Sequence, residues 1–222
     1  MKRIIAFSLL WFAAILGHAQ VQGPFTLIPW QATVYTCPWT DSFSGTGALG
    51  TAWKTFNSTT TFAQASGVVQ LAALSKNAMA APIYAPCPWL GNGQYAQATV
   101  AAVANSTGKV GLGVAVDSIH SNGYIFAGNT NTNAFLYSMT AGSLTTIATC
   151  TSSALAATNV IKMTITGASA PWTITVYRNG TPLTGCSASS SLYSPQSGAP
   201  AMYIVSDATS VADHELSSFS GN

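Results

Sequence analysis

Asp41-Ser-Phe-Ser-Gly-Thr-Gly-Ala-Leu-Gly-Thr-Ala-Trp53 is the stretch on which the reading of this chain turns. Asp41 to Ser44 reads as a short strand with Phe43 as its apolar member. A glycine-rich loop follows, with Leu49 turned inward, and Trp53 anchors the far end. The last residues echo the first: Leu216-Ser-Ser-Phe-Ser-Gly221 repeats the Ser-Phe-Ser-Gly of residues 42 to 45. Matching segments at opposite ends of one chain predict that Asp41–Ser44 and Glu215–Ser220 pair in one sheet. Phe43 and Phe219 would then be buried on the same side.

Between these ends, apolar residues alternate in short runs separated by Gly, Asn and Ser, the pattern of an all-β sandwich. Strands are predicted at 67–73, 94–103, 109–118, 123–128, 135–140, 144–150, 160–166, 172–178, 201–206 and 215–220. No window keeps a 3.6-residue stripe over three turns, so little or no helix is expected after the first residues. Asn179-Gly180 between two such runs is the strongest hairpin signal, because both turn positions favour positive φ. Asn122-Gly123 reads similarly before Tyr124. The run Val110-Gly-Leu-Gly-Val-Ala-Val116 places four branched side chains on one face and Gly111, Gly113 and Ala115 on the other. That small-residue face is either a close backbone approach or the floor of a groove.

The chain begins with an address. Lys2 and Arg3 form a basic start, residues 4 to 16 an apolar run, and Gly17-His18-Ala19 a cleavage pattern, so residues 1–19 read as a signal peptide. The apolar run is shorter than the roughly 20 residues a membrane span needs, and no later segment is long enough. The expected location is secreted, extracellular or periplasmic. Residues 20–40 read as an extended, proline-punctuated arm, and 41–222 as the sandwich. Lys2 and Arg3 leave with the leader, so seven basic residues become five, against five acids. A neutral chain with 5% charged residues offers phosphates no electrostatic footprint, which excludes nucleic acid as a partner. Apolar residues at 48% supply a core. Four cysteines in an exported chain read as two disulfides. The twin tripeptides Cys37-Pro-Trp39 and Cys87-Pro-Trp89 predict Cys37–Cys87, leaving Cys150–Cys186.

With Asp-x-Phe, Gly-x-Leu and Trp53 at its start and Phe-Ser-Gly at its end, the chain from Asp41 onward resembles the concanavalin A-like lectin/glucanase superfamily, in its bacterial secreted, LamG-like form. The resemblance implies an antiparallel jelly-roll β-sandwich with paired terminal strands, and glycan recognition. It also implies two kinds of chemistry to look for. The glucanases carry Glu-x-Asp-x-Glu, which sets carboxylates on one face of a strand to flank a glycosidic bond. This chain has one Glu, and the nearest approach is Asp213-His-Glu215 at the start of the closing strand, where solvent would leave both carboxyls near their ordinary pKa. Jelly-roll lyases use a His or Tyr base with Arg, Gln or Asn, types that His120, Asn122, Tyr124 and Arg178 could supply. A structural calcium often sits beside the terminal strand in this superfamily, held by an Asp, but Ser217 and Ser218 stand there instead. No cofactor or metal is expected.

What remains for binding is aromatic rings, which stack on the apolar faces of sugars while amides and hydroxyls fix orientation. Trp39, Trp89, Tyr95, His120, Asn122, Tyr124, Tyr137 and Tyr177 are the candidate ligand residues. The expected function is a secreted, non-catalytic, disulfide-stapled sandwich that binds carbohydrate or recognises an extracellular protein at a cell surface. The alternatives are a structural or assembly subunit that self-associates (adhesion, surface layer or filament) and a glycan-cleaving hydrolase or lyase.

Overall fold

The computed structural model describes residues 39–58, 60–74, 78–82 (backbone), 93–104, 107–206 and 210–222. The leader, most of the arm, Cys37, Cys87 and Trp89 lie outside the described residues, and with them the expected Cys37–Cys87 bridge. Sixteen strands are described in chain order. They are β1 (Trp39–Asp41), β2 (Gly47–Ala48), β3 (Trp53–Phe56), β4 (Phe62–Ala65), β5 (Val68–Leu71) and β6 (Ala78–Pro82). Next come β7 (Gly93–Val103), β8 (Lys109–Asp117), β9 (Asn122–Gly128), β10 (Ala134–Thr140) and β11 (Ser143–Cys150). The last are β12 (Val160–Thr166), β13 (Trp172–Arg178), β14 (Thr181–Ser190), β15 (Ala199–Val205) and β16 (His214–Gly221). A single 3₁₀ turn, Pro195–Ser197, is the only helical element among the described residues. None of these residues forms a helix long and apolar enough to cross a membrane.

The strands build an antiparallel jelly-roll sandwich. One sheet of nine runs β14-β13-β12-β7-β16-β5-β4-β2, with β1 also on β16; the other, of seven, runs β11-β10-β9-β8-β15-β6-β3. The alternation that predicted the strands also fills the space between the sheets. Ala96, Ala98 and Val100 of β7 and Ile161, Met163 and Ile165 of β12 face Leu112, Val114, Phe126 and Met202 of the opposing sheet. At roughly 1.5–3 kcal/mol for each fully buried aliphatic side chain, this layer is the main source of stability.

The chain ends do pair, but two residues earlier than the sequence pattern suggests. Trp39 lies opposite Gly221 and Asp41 opposite Phe219, so β1 ends at Asp41 instead of beginning there. The cause is the Asp41 carboxylate. Its Oδ1 accepts the Phe43 backbone N–H at 2.8 Å, turning the chain out of the sheet, and Phe43 takes a left-handed φ of 52°. Oδ2 accepts the Trp53 indole N–H at 2.7 Å. Phe43 and Phe219 are both buried, and each meets the Trp53 ring, at 6.0 and 5.2 Å between centroids. Since β3 belongs to the seven-stranded sheet and β1 and β16 to the other, this cluster clasps the two sheets along one side.

The opposite side is closed by Cys150–Cys186, which joins the edge strands β11 and β14. A wide bulge in β14 makes this possible. Thr175 pairs with Ser187 and Tyr177 with Pro182, and Gly185 within the excess takes φ 72°. Leu183 and Cys186, three residues apart, can therefore both face the core. Gly185 is obligatory, as a Cβ there would sit 2.8 Å from the Thr149 carbonyl.

Two local expectations are corrected. The four branched residues of β8 do not share a face, because Ala115 adopts φ 53° and flips the strand. Val110, Leu112 and Val114 stay between the sheets, while Val116 joins a second cluster on the outer face. Asn122-Gly123 opens β9 and is not the turn; the Asn122 amide oxygen accepts the Ala141 N–H at 2.9 Å and so braces the neighbouring β10–β11 turn. Asn179-Gly180 does form its hairpin, with φ of 51° and 81°. Four short strands, β2, β3, β4 and β6, escaped the sequence pattern.

Replacing both Cys150 and Cys186 by Ala should cost about 4 kcal/mol in chemical denaturation, the chain-entropy value for a closed loop of this length. A loss below about 1 kcal/mol would mean that the bulge and the core hold the edge strands together unaided. Asp41→Ala should cost about 2 kcal/mol, because it strands two partly buried donors. Its loss should be non-additive with Trp53→Phe in a double-mutant cycle.

Candidate binding face

Trp89 lies outside the described residues, and the seven described candidate ligand residues do not all converge. Trp39 is half-buried and packs edge-on against Trp53 at 4.7 Å and Phe219 at 5.9 Å, so it belongs to the sheet clasp. Tyr124 is wholly buried between the sheets; its hydroxyl donates to Ser190 Oγ at 2.8 Å and accepts the Tyr193 N–H at 3.0 Å. Neither ring can stack on a sugar from outside. His120 is exposed on the turn after β8, its Nδ1 against the Asp117 carboxylate. Burial would push the Asp117 carboxyl up, but the His120 hydrogen bond, two backbone N–H groups and the imidazole charge outweigh it and hold the carboxyl low. Asn122 is committed to Ala141.

Tyr137 lies on the outer face of the seven-stranded sheet, beside Phe135 at 5.9 Å. The centre of that face is filled by Phe56, Val116, Ile125, Ala127, Met139, Ala201 and Tyr203, all buried. Burial raises the phenol pKa of both Tyr137 and Tyr203, and Tyr137 raises Tyr203 further. The small-residue face of β8 is accounted for here. A Cβ on Gly111 would collide with the Phe126 carbonyl, and one on Gly113 would meet Val116 and Ile125 at 2.7 and 3.0 Å. This is close packing, with no groove floor.

Tyr95 and Tyr177 share the outer face of the nine-stranded sheet. They are carried by β7 and β13, with β12 between them. The registers place Gln97, Lys162 and Tyr177 in one cross-strand row, and Tyr95, Thr164 and Thr175 in the next. The Lys162 ammonium lies over the Tyr95 ring, 4.6 Å from its centroid. Gln97, Val160, Lys162, Thr164, Tyr177 and Gly180 line a shallow depression of about 310 Å³. From strand spacings of about 4.8 Å and a rise of about 3.4 Å per residue, the two tyrosines stand roughly 12 Å apart. Two half-exposed rings flank an amide, a hydroxyl and one cation, an arrangement suited to stacking with lateral hydrogen bonds.

The sequence pattern found the rings but missed Gln97, Lys162 and Thr164. Their outward direction was readable from the alternation within 94–103 and 160–166. The adjacency of β7 and β12, strands far apart in the chain, was not.

The chemistry of cleavage finds little support in this geometry. Asn122 and Tyr124 are committed as described, and the Arg178 guanidinium donates to the Ala154 carbonyl, so the four lyase-type residues serve separate contacts. Asp213 lies in the turn before β16 and not on the strand with Glu215. Contrary to the expectation of an ordinary rim carboxylate, Glu215 is half-buried, and burial raises its pKa. At the position considered for calcium, the Ser218 hydroxyl pairs with Thr99 Oγ1 at 3.0 Å, and no three His, Cys, Asp or Glu residues converge among the described residues.

Comparison with known proteins adds fold alone. No protein-family model matches the chain, and no curated protein matches it in sequence. Among solved structures, it is similar to the carbohydrate-binding module CBM66 from Bacillus subtilis, with TM-score 0.53 and 13% identity over 76% of this chain and 92% of that one. LamAcat from Zobellia galactanivorans gives TM-score 0.50 and 9% identity over 85% and 98%. The Bacteroides ovatus xyloglucan PUL GH43B gives 0.50 and 15% over 83% of this chain and 39% of that chain.

Glu215 offers a test through pH. Its folded pKa lies above the unfolded one, so the native state binds the proton more tightly, and this site contributes stability that grows as pH falls through the raised value. At neutral pH the ionised form is a net cost. Glu215→Gln should therefore melt at or slightly above the wild-type temperature at pH 7, with the gap closing below the carboxylate range. A lower melting temperature at pH 7 would reveal a stabilising contact made by the charge.

Proposed function

We propose that this chain is an exported, non-catalytic carbohydrate-binding sandwich of the concanavalin A-like kind, and that it holds its glycan on the outer face of the nine-stranded sheet. The observation that carries this reading is the pair of half-exposed rings, Tyr95 and Tyr177, set across three strands around Gln97, Lys162 and Thr164. Flat aromatic surface supplies affinity for the C–H faces of sugar rings, and the amide and hydroxyls supply direction. The likeness in fold to a carbohydrate-binding module is in keeping with it. Export is supported by the leader pattern at 1–19 and by the Cys150–Cys186 disulfide, since such bridges persist in oxidising compartments. In this reading residues 20–38 form an arm preceding the sandwich, and Trp39 and Thr40 already belong to β1.

A glycan array probed with the purified protein should give a defined set of positive sugars. Tyr95→Ala and Tyr177→Ala should each weaken binding about tenfold, equivalent to about 1.4 kcal/mol, with unchanged melting temperature. Binding that survives both substitutions would move the site elsewhere. An assay on neutral β-glucans should show no turnover; turnover abolished by Glu215→Gln would replace the binding reading with the hydrolase alternative.

A further inference from the structure

We infer that the sugar held on this face is an acidic one, and that Lys162 is the residue that reads its negative charge. This rests on the binding reading above and names the class of ligand within it. The argument starts from the scarcity of charge. With Lys2 and Arg3 gone, five cations remain in the chain, and solubility comes from hydroxyls and amides. Two of the described cations are accounted for elsewhere: Arg178 donates to the Ala154 carbonyl, and Lys109 packs over Phe135, where burial lowers its pKa. Lys54 projects from β3 of the opposite sheet.

Lys162 differs from these in its setting. It sits at the middle of the outer face, on β12 between β7 and β13, where Lys is disfavoured by strand propensity. Its cross-strand neighbours, Gln97 and Tyr177, are uncharged. Among the described residues the one ion pair is His120 with Asp117, so no described carboxylate pairs with Lys162. Of the other described acids, Asp41 holds Trp53, and Glu215, on β16 beside β7, lies opposite Ala102, five residues along β7 from Gln97.

Lys162 lines the depression together with Tyr177, and the Tyr95 ring lies under its ammonium, so a ligand in the depression meets that charge. With so few other charges on the protein, little opposes its field there. A carboxylate or sulfate on a sugar ring stacked against Tyr177 would come within reach of the ammonium. It would form a charge-assisted hydrogen bond, roughly twice as strong as a neutral one. A neutral sugar in the same place would leave that potential unused.

The test uses three soluble polymers in affinity electrophoresis at low salt: polygalacturonate, a sulfated galactan and an unsulfated galactan. The wild-type protein is expected to bind at least one of the two acidic polymers about tenfold more tightly than the neutral one. Lys162→Met, which keeps the aliphatic stem, should erase that preference, and Lys162→Arg should keep most of it. Tyr177→Ala should weaken acidic and neutral binding alike. A preference for polygalacturonate assigns a carboxylate, and one for the sulfated galactan a sulfate. Equal binding to all three polymers with no effect of Lys162→Met overturns the inference and leaves the glycan-binding reading standing. Binding to none of these polymers, together with a blank glycan array, overturns both.

Discussion

The carboxylate of Asp41 does two things at once, and the closure of the sandwich depends on both. One oxygen takes the backbone N–H of Phe43 and ends the first strand; the other takes the indole N–H of Trp53. The first bond turns Phe43 inward in a left-handed conformation that a bulky residue adopts only when its surroundings hold it there. The second brings the edge of the seven-stranded sheet to the strands that contain the chain ends. Trp39, Phe43 and Phe219 then pack around one indole, in tilted or edge-on geometries worth about 0.5–1.5 kcal/mol per pair beyond burial. The repeated Ser-Phe-Ser-Gly is thus two different conformations serving one ring.

A sandwich held only along one side could splay along the other, and the Cys150–Cys186 bridge joins the two edge strands there. Between these clasps, two polar side chains reach across to the opposite sheet and find partners there. Gln94 of β7 accepts the Ala115 N–H and donates to the Gly198 carbonyl, which supplies the partners that the bulge in β8 would otherwise leave buried. Tyr124 reaches Ser190 in the same way. The bulge in β8 is thus paired with a specific side chain from the opposite sheet.

Ten strands were legible in the sequence to within about two residues because period-two alternation is a local property. The boundary at Asp41 was misread because alternation does not report an aspartate bonding the N–H two residues ahead. Val116 was assigned to the wrong face because a single left-handed alanine inverts everything after it. The site was half legible. Tyr95 and Tyr177 could be named as rings on strands, but Tyr124, with the same signature, is buried, and facing is decided by which sheet covers which. Lys162 was not legible as a candidate, because its contact is with Tyr95 on β7, far away in sequence.

The two outer faces of the sandwich divide the work unequally. On the seven-stranded sheet, apolar side chains and glycine contacts fill the centre, so that face is spent on packing. On the nine-stranded sheet the outward residues are hydroxyls and amides that bond one another or the backbone: Thr175 with Ser187 at 3.3 Å, Ser187 to the Ile174 carbonyl at 3.0 Å, Thr99 with Ser218 at 3.0 Å. Such bonds tie side chains down without introducing charge. They give the face a fixed shape, and a pre-ordered face has a lower ordering cost wherever a ligand binds. Among the described residues, Lys162 has no ion-pair partner there. A surface rich in Lys and Glu would surround its ammonium with carboxylates and screen it, whereas neighbours such as Gln97 and Tyr177 leave the charge of Lys162 unopposed in its own row.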